Sequence, residues 1–434
     1  FPASAVKGEV FYRNDENKYY VFDGSGWQEI SGFCDKTVAS RIVGTSSSRY
    51  GSDKTCDGVS DQQEINEAIS ELGDNKGAVY LLEGEYLVDG EITLDDISPL
   101  DSNKSIIGIG AGTSLKIREG VSAEYFRVIH CFSGMKKVLY SQFMIDGNRS
   151  NVSITYPRGI DGGYCTSTID NLWLKDFASH GSPLIGGSLV VENFIWSCGG
   201  NGITDSFLTS CNILYNLNLG SWGGAIGLRA PQGALVSYNI IRDDKYPGYG
   251  GIWVYYYPSR NIVLGNIVEG VLSGWGISLQ DYYSGISNSN ILYNNKYGLG
   301  ICATKSVISN NISSDQSWIG IYLAKTTYSN IFANRSFNTE NQGDGLCISA
   351  SSWNFISFNY IYNDASTEGR YGLSLFAKGG VNSSNNYLVG NYTGGNFDKL
   401  IYDNGINTRY TDKLKITLQQ GEYTHTGNTI SLSS

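Results

Sequence analysis

Several residue types and patterns that mark large protein classes are scarce in this chain. Only 17% of its 434 residues are charged, Lys and Arg form no cluster, and the net charge is −10. Binding to nucleic acid through phosphate neutralisation is therefore not expected. No apolar run approaches the roughly 20 residues that span a bilayer, so we expect no membrane insertion. The eight Cys form neither a CxxC pair nor a Cys/His zinc pattern, and we expect no metal and no cofactor.

Sequence signatures of common enzyme classes are also missing. The chain has no GxSxG elbow, no phosphate-binding loop, no HExxH and no EF-hand loop. The cysteines leave two alternatives open, a Cys34–Cys56 disulfide or free buried thiols. Seven Asn-x-Ser/Thr sequons, among them Asn311, Asn334 and Asn391, are a weak sign of an exported protein.

Glycine, asparagine and tyrosine are abundant instead. The chain contains 54 Gly, 37 Asn and 31 Tyr but only 7 Pro, a composition typical of strands and turns. One segment differs, because the apolar pattern of residues 60–72 predicts an amphipathic helix. Ser60 is its expected N-cap and Gln63 completes a capping box. A single helix ahead of a long β region predicts that the helix covers an open end of the β array.

From about residue 160 the chain repeats about every 20 to 27 residues. In each repeat a Gly precedes an apolar–x–apolar strand, and a second short strand carries Asn. Such a period predicts a single-stranded parallel β-helix, because each coil buries its apolar face only by stacking on the next. We expect stacked Asn amides between coils, and Gly at corners that need a positive φ. The repeated strands begin at Ile203, Ile226, Ile252, Ile277, Ile301, Ile321, Leu346 and Leu373, with earlier coils near Ile160 and Leu184.

These segments resemble a known superfamily. The stretch CDGVSDQQEINEAISEL, followed by GAVYLLEGEYLV and SIIGIGAGTSL, is similar to the opening of pectate-lyase-like right-handed parallel β-helix proteins. The resemblance covers roughly residues 50–400 and implies an all-β β-solenoid with an N-terminal capping helix and small terminal β-hairpins. The fold carries lyases, hydrolases, epimerases and non-enzymatic surface proteins, so it implies no single activity. The catalytic motifs of β-helical epimerases and pectate lyases are not found, so no catalytic residue is carried over.

Three regions are predicted along the chain. Residues 1–33 form a β-hairpin or meander and resemble short segments of phage tail and fibre proteins. Residues 34–410 form the β-helix, and residues 411–434 form a C-terminal β tail. Together these features resemble a tailspike-type protein, which implies a homo-oligomer, with a trimer favoured, at a virion surface or in the extracellular space.

Polysaccharide chemistry on this fold needs carboxylates on neighbouring coils. Coils about 4.8 Å apart bring such groups near the roughly 5–5.5 Å of retaining glycosidases, and two coils approach the roughly 6.5–9.5 Å of inverting ones. Asp205 stands where other coils are apolar, and the loop of residues 242–251 is the longest insertion nearby. The candidate catalytic residues, expected within about 10 Å of one another, are Asp205, Asp243, Asp244 and Asp281.

A second group is predicted to bind the substrate along one edge of consecutive coils. Aromatic rings there would stack on sugars and cations would hold carboxylates, although a solvated edge explains the same pattern. The candidates are Arg229, Tyr255, Tyr256, Tyr257, Lys305 and Lys325.

Two further pairs of residues follow from the repeat. Asp161 and His180 are a weaker pair for proton abstraction, whereas His130 has no supporting context. Cys302 and Cys347 are expected in one column two coils apart, which is too far for a disulfide.

The sequence therefore predicts a virion-associated or extracellular protein whose partner is a polysaccharide. Two hypotheses stay open. In one, the protein depolymerises the polysaccharide as a glycoside hydrolase or a lyase. In the other, it is a non-catalytic host-attachment or structural protein.

Overall fold

The structure is a computed structural model, and it describes most but not all of the chain. The residues described are 10–13, 18–22, 25, 27–29, 39–48, 51–73, 77–94, 104–131, 136–162, 166–177, 183–185, 189–198, 202–204, 208–210, 212–215, 224–229, 231, 233–242, 250–255, 260–280, 284–339, 343–364, 369–377, 381–411 and 424–425.

The described residues form a right-handed parallel β-helix, which confirms the predicted fold. The chain passes in turn through three long parallel sheets and then starts the next coil one strand further along each sheet. A separate three-stranded antiparallel sheet comes from Val10–Arg13, Lys18–Phe22 and Trp27–Glu29.

The three long sheets are named here by their numbers of described strands. The 16-stranded sheet comprises Ala39–Thr45, Lys54–Cys56, Gly77–Leu81, Lys104–Ile107, Lys136–Ser141, Thr166–Asp170, Leu189–Val191, Leu208–Ser210, Leu235–Ser237, Ile262–Leu264, Ile286–Asn288, Val307–Ser309, Asn330–Phe332, Phe355–Ser357, Tyr387–Val389 and Arg409–Thr411. The 13-stranded sheet comprises Gly84–Val88, Thr113–Ile117, Met144–Asp146, Trp173–Lys175, Phe194–Trp196, Ile213–Tyr215, Ile240–Arg242, Ile267–Glu269, Ile291–Tyr293, Ile312–Ser314, Arg335–Phe337, Tyr360–Asn363 and Tyr392–Gly395. The 14-stranded sheet comprises Ile92–Leu94, Ser122–Cys131, Ser153–Asp161, Leu184–Ile185, Ile203–Thr204, Gly224–Arg229, Gly250–Tyr255, Trp275–Leu279, Tyr297–Ile301, Ile319–Ala324, Asp344–Ser349, Gly369–Phe376, Phe397–Asp403 and Thr424–His425.

The core runs through the centre of the coils. In one coil Val263 comes from the 16-stranded sheet, Val268 from the 13-stranded sheet, and Ile277 and Leu279 from the 14-stranded sheet, and all four are fully buried. Stacking removes these apolar side chains from water coil after coil, which is the main stabilising contribution to such an array.

A ladder of asparagines stabilises the corner between the 16-stranded and 13-stranded sheets, as the sequence predicted. Each side-chain amide donates to the side-chain oxygen of the next coil at 2.8–3.0 Å. The members, all buried, are Asn193, Asn212, Asn239, Asn266, Asn290, Asn311, Asn334, Asn359 and Asn391. Three of them are sequon residues, and their burial removes these sites as support for glycosylation.

The repeated glycines have a different role from the one expected. Gly251 and Gly276 do not have a positive φ, and the positive-φ corner residues are mostly not glycine. A Cβ on Gly251 would lie 2.5 Å from Cγ1 of Val268 and 2.8 Å from the carbonyl oxygen of Gly276. The glycine is therefore needed for close packing inside the coil.

One α-helix is described, Gln62–Glu71, slightly shorter than predicted. Its apolar face is buried, with Ile65, Ala68 and Ile69 in the core, and it packs on the first strands of the β-helix. The predicted capping box is wrong, because the Ser60 hydroxyl donates to Asp89. None of the described helices is long and apolar enough to cross a membrane.

The carboxylate of Asp61 explains why this helix start differs from the prediction. It accepts the backbone N–H of Gly58 at 2.8 Å and that of Leu87 at 2.6 Å. The side chain therefore ties the turn before the helix to the strand Gly84–Val88, and makes no capping bond.

The strand register corrects one repeat of the sequence alignment. Leu299, two residues before Ile301, pairs with Ile277 and Ile321, so this coil begins earlier than predicted. Cys347 consequently aligns with Gly300 and not with Cys302. Both thiols are free, as expected. Cys56 is also free, which contradicts the Cys34–Cys56 disulfide.

The predicted region boundaries at 33/34 and 410/411 stay predictions. The predicted β-helix region begins with two strands of the 16-stranded sheet, Ala39–Thr45 and Lys54–Cys56. At the other end, Thr424–His425 pairs in parallel with the 14-stranded sheet, while most of the predicted C-terminal tail lies outside the described residues.

Candidate functional site

The outward face of the 14-stranded sheet carries the candidate site. Core residues such as Ile252 and Ile277 point inward, and the residue after each points outward. Across successive coils these outward positions are occupied by Gly227, Trp253, Ser278, Gly300 and Tyr322. Small residues therefore stand beside and between the two large rings of this column, which leaves room for rings to lie against the sheet.

Five half-buried aromatic side chains form a platform on this face. The Trp253 and Tyr255 rings are nearly parallel, with centroids 3.5 Å apart. The Trp275 ring stacks on Tyr297 at 4.7 Å and on Tyr322 at 5.6 Å. We call Trp253, Tyr255, Trp275, Tyr297 and Tyr322 the aromatic platform.

Gly300 shows how the sequence accommodates the platform. A Cβ at this position would lie 2.8 Å from the ring of Trp275, so the indole occupies the space above the glycine. Lys296 places its ammonium 5.5 Å from the Tyr297 ring centroid, a cation–π distance. The rings are therefore held in place by backbone, ring and cation contacts.

Two predicted substrate-binding residues meet at the edge of this platform. Arg229 is exposed and its Cα pairs with that of Tyr255 on the next coil.

The other two predicted cations, both lysines, do not align with each other as expected. Lys305 follows the Thr304–Thr327 bridge and therefore aligns with Tyr328, whereas the register places Lys325 beside Ala350. Lys305 and Lys325 thus occupy different columns, because the coil of Lys305 was misaligned by two residues.

The remaining predicted site residues lie outside the described part of the chain. Asp205, Tyr256, Tyr257 and Asp281 belong in sequence to connections that leave the 14-stranded sheet. Asp243 and Asp244 belong to the connection that enters it before Gly250–Tyr255. Their approach to within about 10 Å stays a prediction.

A charged cluster, not found from the sequence, lies on the same face in the first coils. His130 pairs in register with Asp161, which was predicted to work with His180; His180 lies outside the described residues. Nδ1 of His130 is 3.3 Å from Oε2 of Glu91. Asp161 accepts from Nη1 of Arg158 at 2.5 Å. We call Glu91, Arg127, His130, Arg158 and Asp161 the charged cluster.

Arg127 joins the two carboxylates of this cluster. Its Nη1 lies 3.3 Å from Glu91, and its Nε lies 3.0 Å from Oδ2 of Asp161, a close ion pair without good hydrogen-bond alignment. His130 is 17% and Asp161 is 9% exposed at the side chain. The imidazole can exchange a proton with a bound molecule, and the arginines can orient an anionic group beside it.

The last coils carry a second charged pair on this face. Asp344 is fully buried and accepts two hydrogen bonds from Arg370, both at 2.9 Å. Ser374 also donates to this carboxylate at 2.6 Å. The hydrogen bond to Asp344 raises the pKa of the Arg370 guanidinium. Both carboxylate oxygens of Asp344 therefore accept from internal donors, and we assign the pair a structural role.

One group of potential metal donors occurs among the described residues, namely Cys56, Asp61 and Glu64 within 4.8 Å of one another. Burial raises the pKa of the Cys56 thiol strongly, which opposes the thiolate that a metal would bind. Both oxygens of Asp61 already accept backbone N–H groups. This group is therefore structural.

Among the comparisons with known proteins, one family model matches. The family model described as periplasmic copper-binding protein (NosD) matches residues 248–431, less than half of the chain. A comparison with curated protein sequences returns no match.

Several solved structures are similar. The A-module of the mannuronan C-5 epimerase AlgE6 from Azotobacter vinelandii is 16% identical, with 82% of this chain and 95% of that chain covered and a TM-score of 0.45. DFA-IIIase from Arthrobacter chlorophenolicus A6 is 14% identical over 80% and 94%, with a TM-score of 0.48. The Agl-KA catalytic domain is 12% identical over 82% and 66%, with a TM-score of 0.47. At these identities and TM-scores, the three structures do not bear on the activity of this chain.

The residues do not fit the copper named in the matched family. Copper(I) favours Cys, Met and His ligands, and both Met residues, Met135 and Met144, precede the matched segment. In the described part of residues 248–431 no three His, Cys, Asp or Glu donors converge. The described residues therefore give no support to a copper site.

Proposed function

We propose that this chain, which has the fold of the pectate-lyase-like right-handed parallel β-helix superfamily, binds a polysaccharide along the outward face of its 14-stranded sheet. The aromatic platform is the observation that carries this proposal. Its rings are half-buried and fixed by stacking, so they can contact sugar rings with little loss of side-chain entropy.

The extent of the face favours a polymer over a single sugar. Neighbouring coils are about 4.8 Å apart, so the platform spans about 14 Å from Trp253 to Tyr322. The charged cluster lies on the same face, about 19 Å from Trp253 when measured from Asp161 along the coils. A chain of several sugars can occupy this length.

The cations at the platform favour acidic sugars. Arg229 is exposed beside Tyr255, and Lys296 lies against Tyr297. In a protein with a net charge of −10, these groups provide local positive charge where the rings would bind a sugar. Tyr256, Tyr257, Lys305 and Lys325 remain candidates for further contacts with the polymer.

Cleavage of the bound polymer is the finer part of the proposal. The acid and base candidates remain Asp205, Asp243, Asp244 and Asp281, in connections that begin or end at strands of this sheet. In hydrolysis, a carboxylic acid protonates the leaving oxygen, water adds to the anomeric carbon and the glycosidic bond breaks. In elimination, a base removes a sugar proton, the bond to the leaving oxygen breaks as that oxygen takes a proton from an acid, and a carbon–carbon double bond forms without addition of water.

We also propose where the protein acts. A polysaccharide of this kind is met outside the cytoplasm, in the extracellular space or at a virion surface, and a trimer of the tailspike type would present several such faces at once. The three-stranded antiparallel sheet near the N-terminus is the element proposed for subunit contact.

The test is degradation of a panel of acidic and neutral polysaccharides by the full chain. New reducing ends are measured together with the ultraviolet absorbance of an unsaturated sugar end, with Asp205→Asn and Asp244→Asn beside the unchanged protein. His130→Gln adds the charged cluster to the comparison. Reducing ends alone indicate hydrolysis, and both signals together indicate elimination.

The outcomes separate the two functional hypotheses. Loss of product in one aspartate variant, with the fold unchanged by circular dichroism, supports cleavage at that residue. Binding of a polymer without product from any of them favours the non-catalytic attachment protein. Absence of binding to every polymer contradicts the proposed function.

A further inference from the structure

The 13-stranded sheet carries a trough that is separate from the aromatic platform. Its volume is about 740 Å³. The trough is lined by Asn310, Ile312, Ala333, Arg335, Phe337, Phe358 and Tyr360. We propose that this trough is a second saccharide-binding site, which takes the carboxylate of an acidic sugar on Arg335.

The stacked coils produce the trough in a regular way. Ile312, Arg335 and Tyr360 occupy the same outward position on three successive strands. Asn310 and Phe358 stand at the corner beside these strands, at the positive φ values of 55° and 53°. Because this corner conformation turns the chain sharply, the corner side chains form one wall and the strand side chains form the other.

Arg335 provides a cation in the trough. Its side chain is exposed, and no ion pair joins it to an acidic side chain of the described residues. Asp315, on the neighbouring coil, accepts instead from Ser314 at 2.5 Å and from Asn338 at 3.0 Å. A guanidinium in this state can donate two parallel hydrogen bonds to a carboxylate.

Arg242 shows the contrasting arrangement on the same sheet. Its Nε lies 3.4 Å from Oε2 of Glu269 on the next coil, so its charge is already paired. Arg242 and Arg335 are separated by four coils, or about 19 Å. The two arginines lie on the same sheet and differ in whether a described acidic side chain on the next coil pairs with them.

Exposed rings complete the site. Phe358 is 66% and Tyr360 is 38% exposed, although both are large aromatic side chains. Tyr360 is held by stacking on Tyr392, with centroids 4.7 Å apart, and the Phe358 ring lies over Gly390. Rings fixed in this way suit the apolar face of a sugar, and the Asn310 side chain, whose amide nitrogen donates to Asn288, can accept from a sugar hydroxyl through its oxygen.

The ligand that fits these groups is an acidic sugar within an oligosaccharide. The carboxylate meets Arg335, the sugar ring meets Phe358, and the open ends of the trough admit neighbouring sugars. Since the trough and the aromatic platform lie on different sheets, one polymer that reaches both would bind more tightly than either site allows alone.

The experiment is calorimetric titration of the full chain with trigalacturonate and with its fully methyl-esterified form. The proteins compared are the unchanged chain, Arg335→Gln, Arg335→Lys and the matched control Arg242→Gln. We expect Arg335→Gln to weaken binding of trigalacturonate at one class of sites by about tenfold or more, as for a lost charge-assisted hydrogen bond. Arg335→Lys should recover part of this loss, and Arg242→Gln should bind as the unchanged chain does.

The esterified ligand and a platform variant make the result specific. The esterified form should bind the trough at least about tenfold more weakly, and should be insensitive to Arg335→Gln. The loss caused by Arg335→Gln should persist in a Trp275→Ala background, which separates the trough from the platform. The proposal is overturned if Arg335→Gln binds trigalacturonate like the unchanged chain, or if Arg242→Gln loses as much. Concentration-dependent association that buries the trough between two copies, with no ligand binding there, would also overturn it.

Discussion

At Gly251 the chain has no space for a side chain. The position is buried against Val268 and against the backbone of Gly276 on the next coil. The sequence shows a Gly in most repeats, but sequence alone does not distinguish a positive φ from a close approach of backbones. Only the packing of adjacent coils reveals which of the two is required.

Gly251→Ala should therefore destabilise the protein. The new Cβ overlaps a side chain and a carbonyl oxygen that belongs to a paired strand, so we expect a loss of about 1–3 kcal/mol in the free energy of unfolding. Gly51→Ala is the control, because a Cβ there meets nothing within 4 Å. Denaturant unfolding measures both variants. Equal stability of Gly251→Ala and the unchanged chain would contradict the packing role.

Buried thiols make the free energy of unfolding depend on pH in the alkaline range. Burial raises the pKa of Cys198 to about 12 from its ordinary value of 9.0. A thiol whose pKa is raised in the folded state makes its full contribution to stability at pH values below the pKa that the same thiol has in the unfolded chain. That stabilisation is lost as the pH rises from about 9 towards 12, because only the unfolded chain then releases the proton.

Cys198→Ala should reduce this alkaline loss. We expect the unchanged chain to lose about 1.4 kcal/mol more than the variant between pH 7 and pH 10, which is one pH unit above the ordinary thiol pKa. The cavity left by the substitution lowers stability equally at both pH values and does not affect the difference. Unfolding free energies at the two pH values give the comparison. Parallel pH profiles for the two proteins would be evidence against the buried neutral thiol.

Among the elements, the Asn ladder was predictable and the start of the helix was not. The ladder asparagines recur in the sequence at the period of the coil. Residues that recur at the same position of successive coils are expected to share one structural environment. The helix start depends on a single contact with a distant strand, since Asp61 binds the N–H of Leu87. Local capping rules placed Ser60 at the N-cap because they do not include such a contact.

The ladder predicts a large effect from one substitution. Asn290 donates to the carbonyl of Val263 and to Asn311, and its own side-chain oxygen accepts from the backbone and the amide of Asn266. Asn290→Ala removes the acceptor of the Asn266 backbone N–H and the donor to the Val263 carbonyl, both on the preceding coil, at about 1–3 kcal/mol for each buried group left without a partner. Asn311, on the following coil, keeps its bonds to the backbone N–H of residue 290 and to Ser287. We expect thermal unfolding of this variant at a clearly lower temperature.

Asn288→Ala is the control for the ladder. Asn288 is half-exposed, and within the described part of the chain its side-chain oxygen accepts only from the surface side chains Ser289 and Asn310. Its loss should change the free energy of unfolding by less than about 0.5 kcal/mol. A comparable loss of stability in the two variants would mean that the ladder is not a principal support of the coils.

For the whole molecule, the repeat in the sequence predicted the β-helix. The positions of the site residues relative to one another, in contrast, could be assigned only from the pairing register of the strands. One coil was misaligned by two residues at Leu299, and this alone moved Lys305 into another column. His130 and Asp161 lie 31 residues apart in sequence and become neighbours only because their strands pair. Arg229 beside Tyr255 was anticipated, since both follow the core residue of well-defined repeats.

Binding along the 14-stranded sheet is the central claim at this scale, and the aromatic platform makes it testable. The Trp275 ring contacts Tyr297 and Tyr322 and fills the space above Gly300. Trp275→Ala therefore removes the middle of the platform. Tyr238→Ala is the matched control, because Tyr238 is an exposed ring that contacts Gly265 at another corner of the coil.

The most direct measurement is the affinity of the unchanged chain, Trp275→Ala and Tyr238→Ala for the polysaccharide that binds best in the panel. The account predicts that Trp275→Ala binds about tenfold more weakly, equivalent to about 1.4 kcal/mol, while Tyr238→Ala binds as the unchanged chain does. Equal affinity of all three proteins, or an equal loss in both variants, would contradict a polysaccharide-binding face on the 14-stranded sheet.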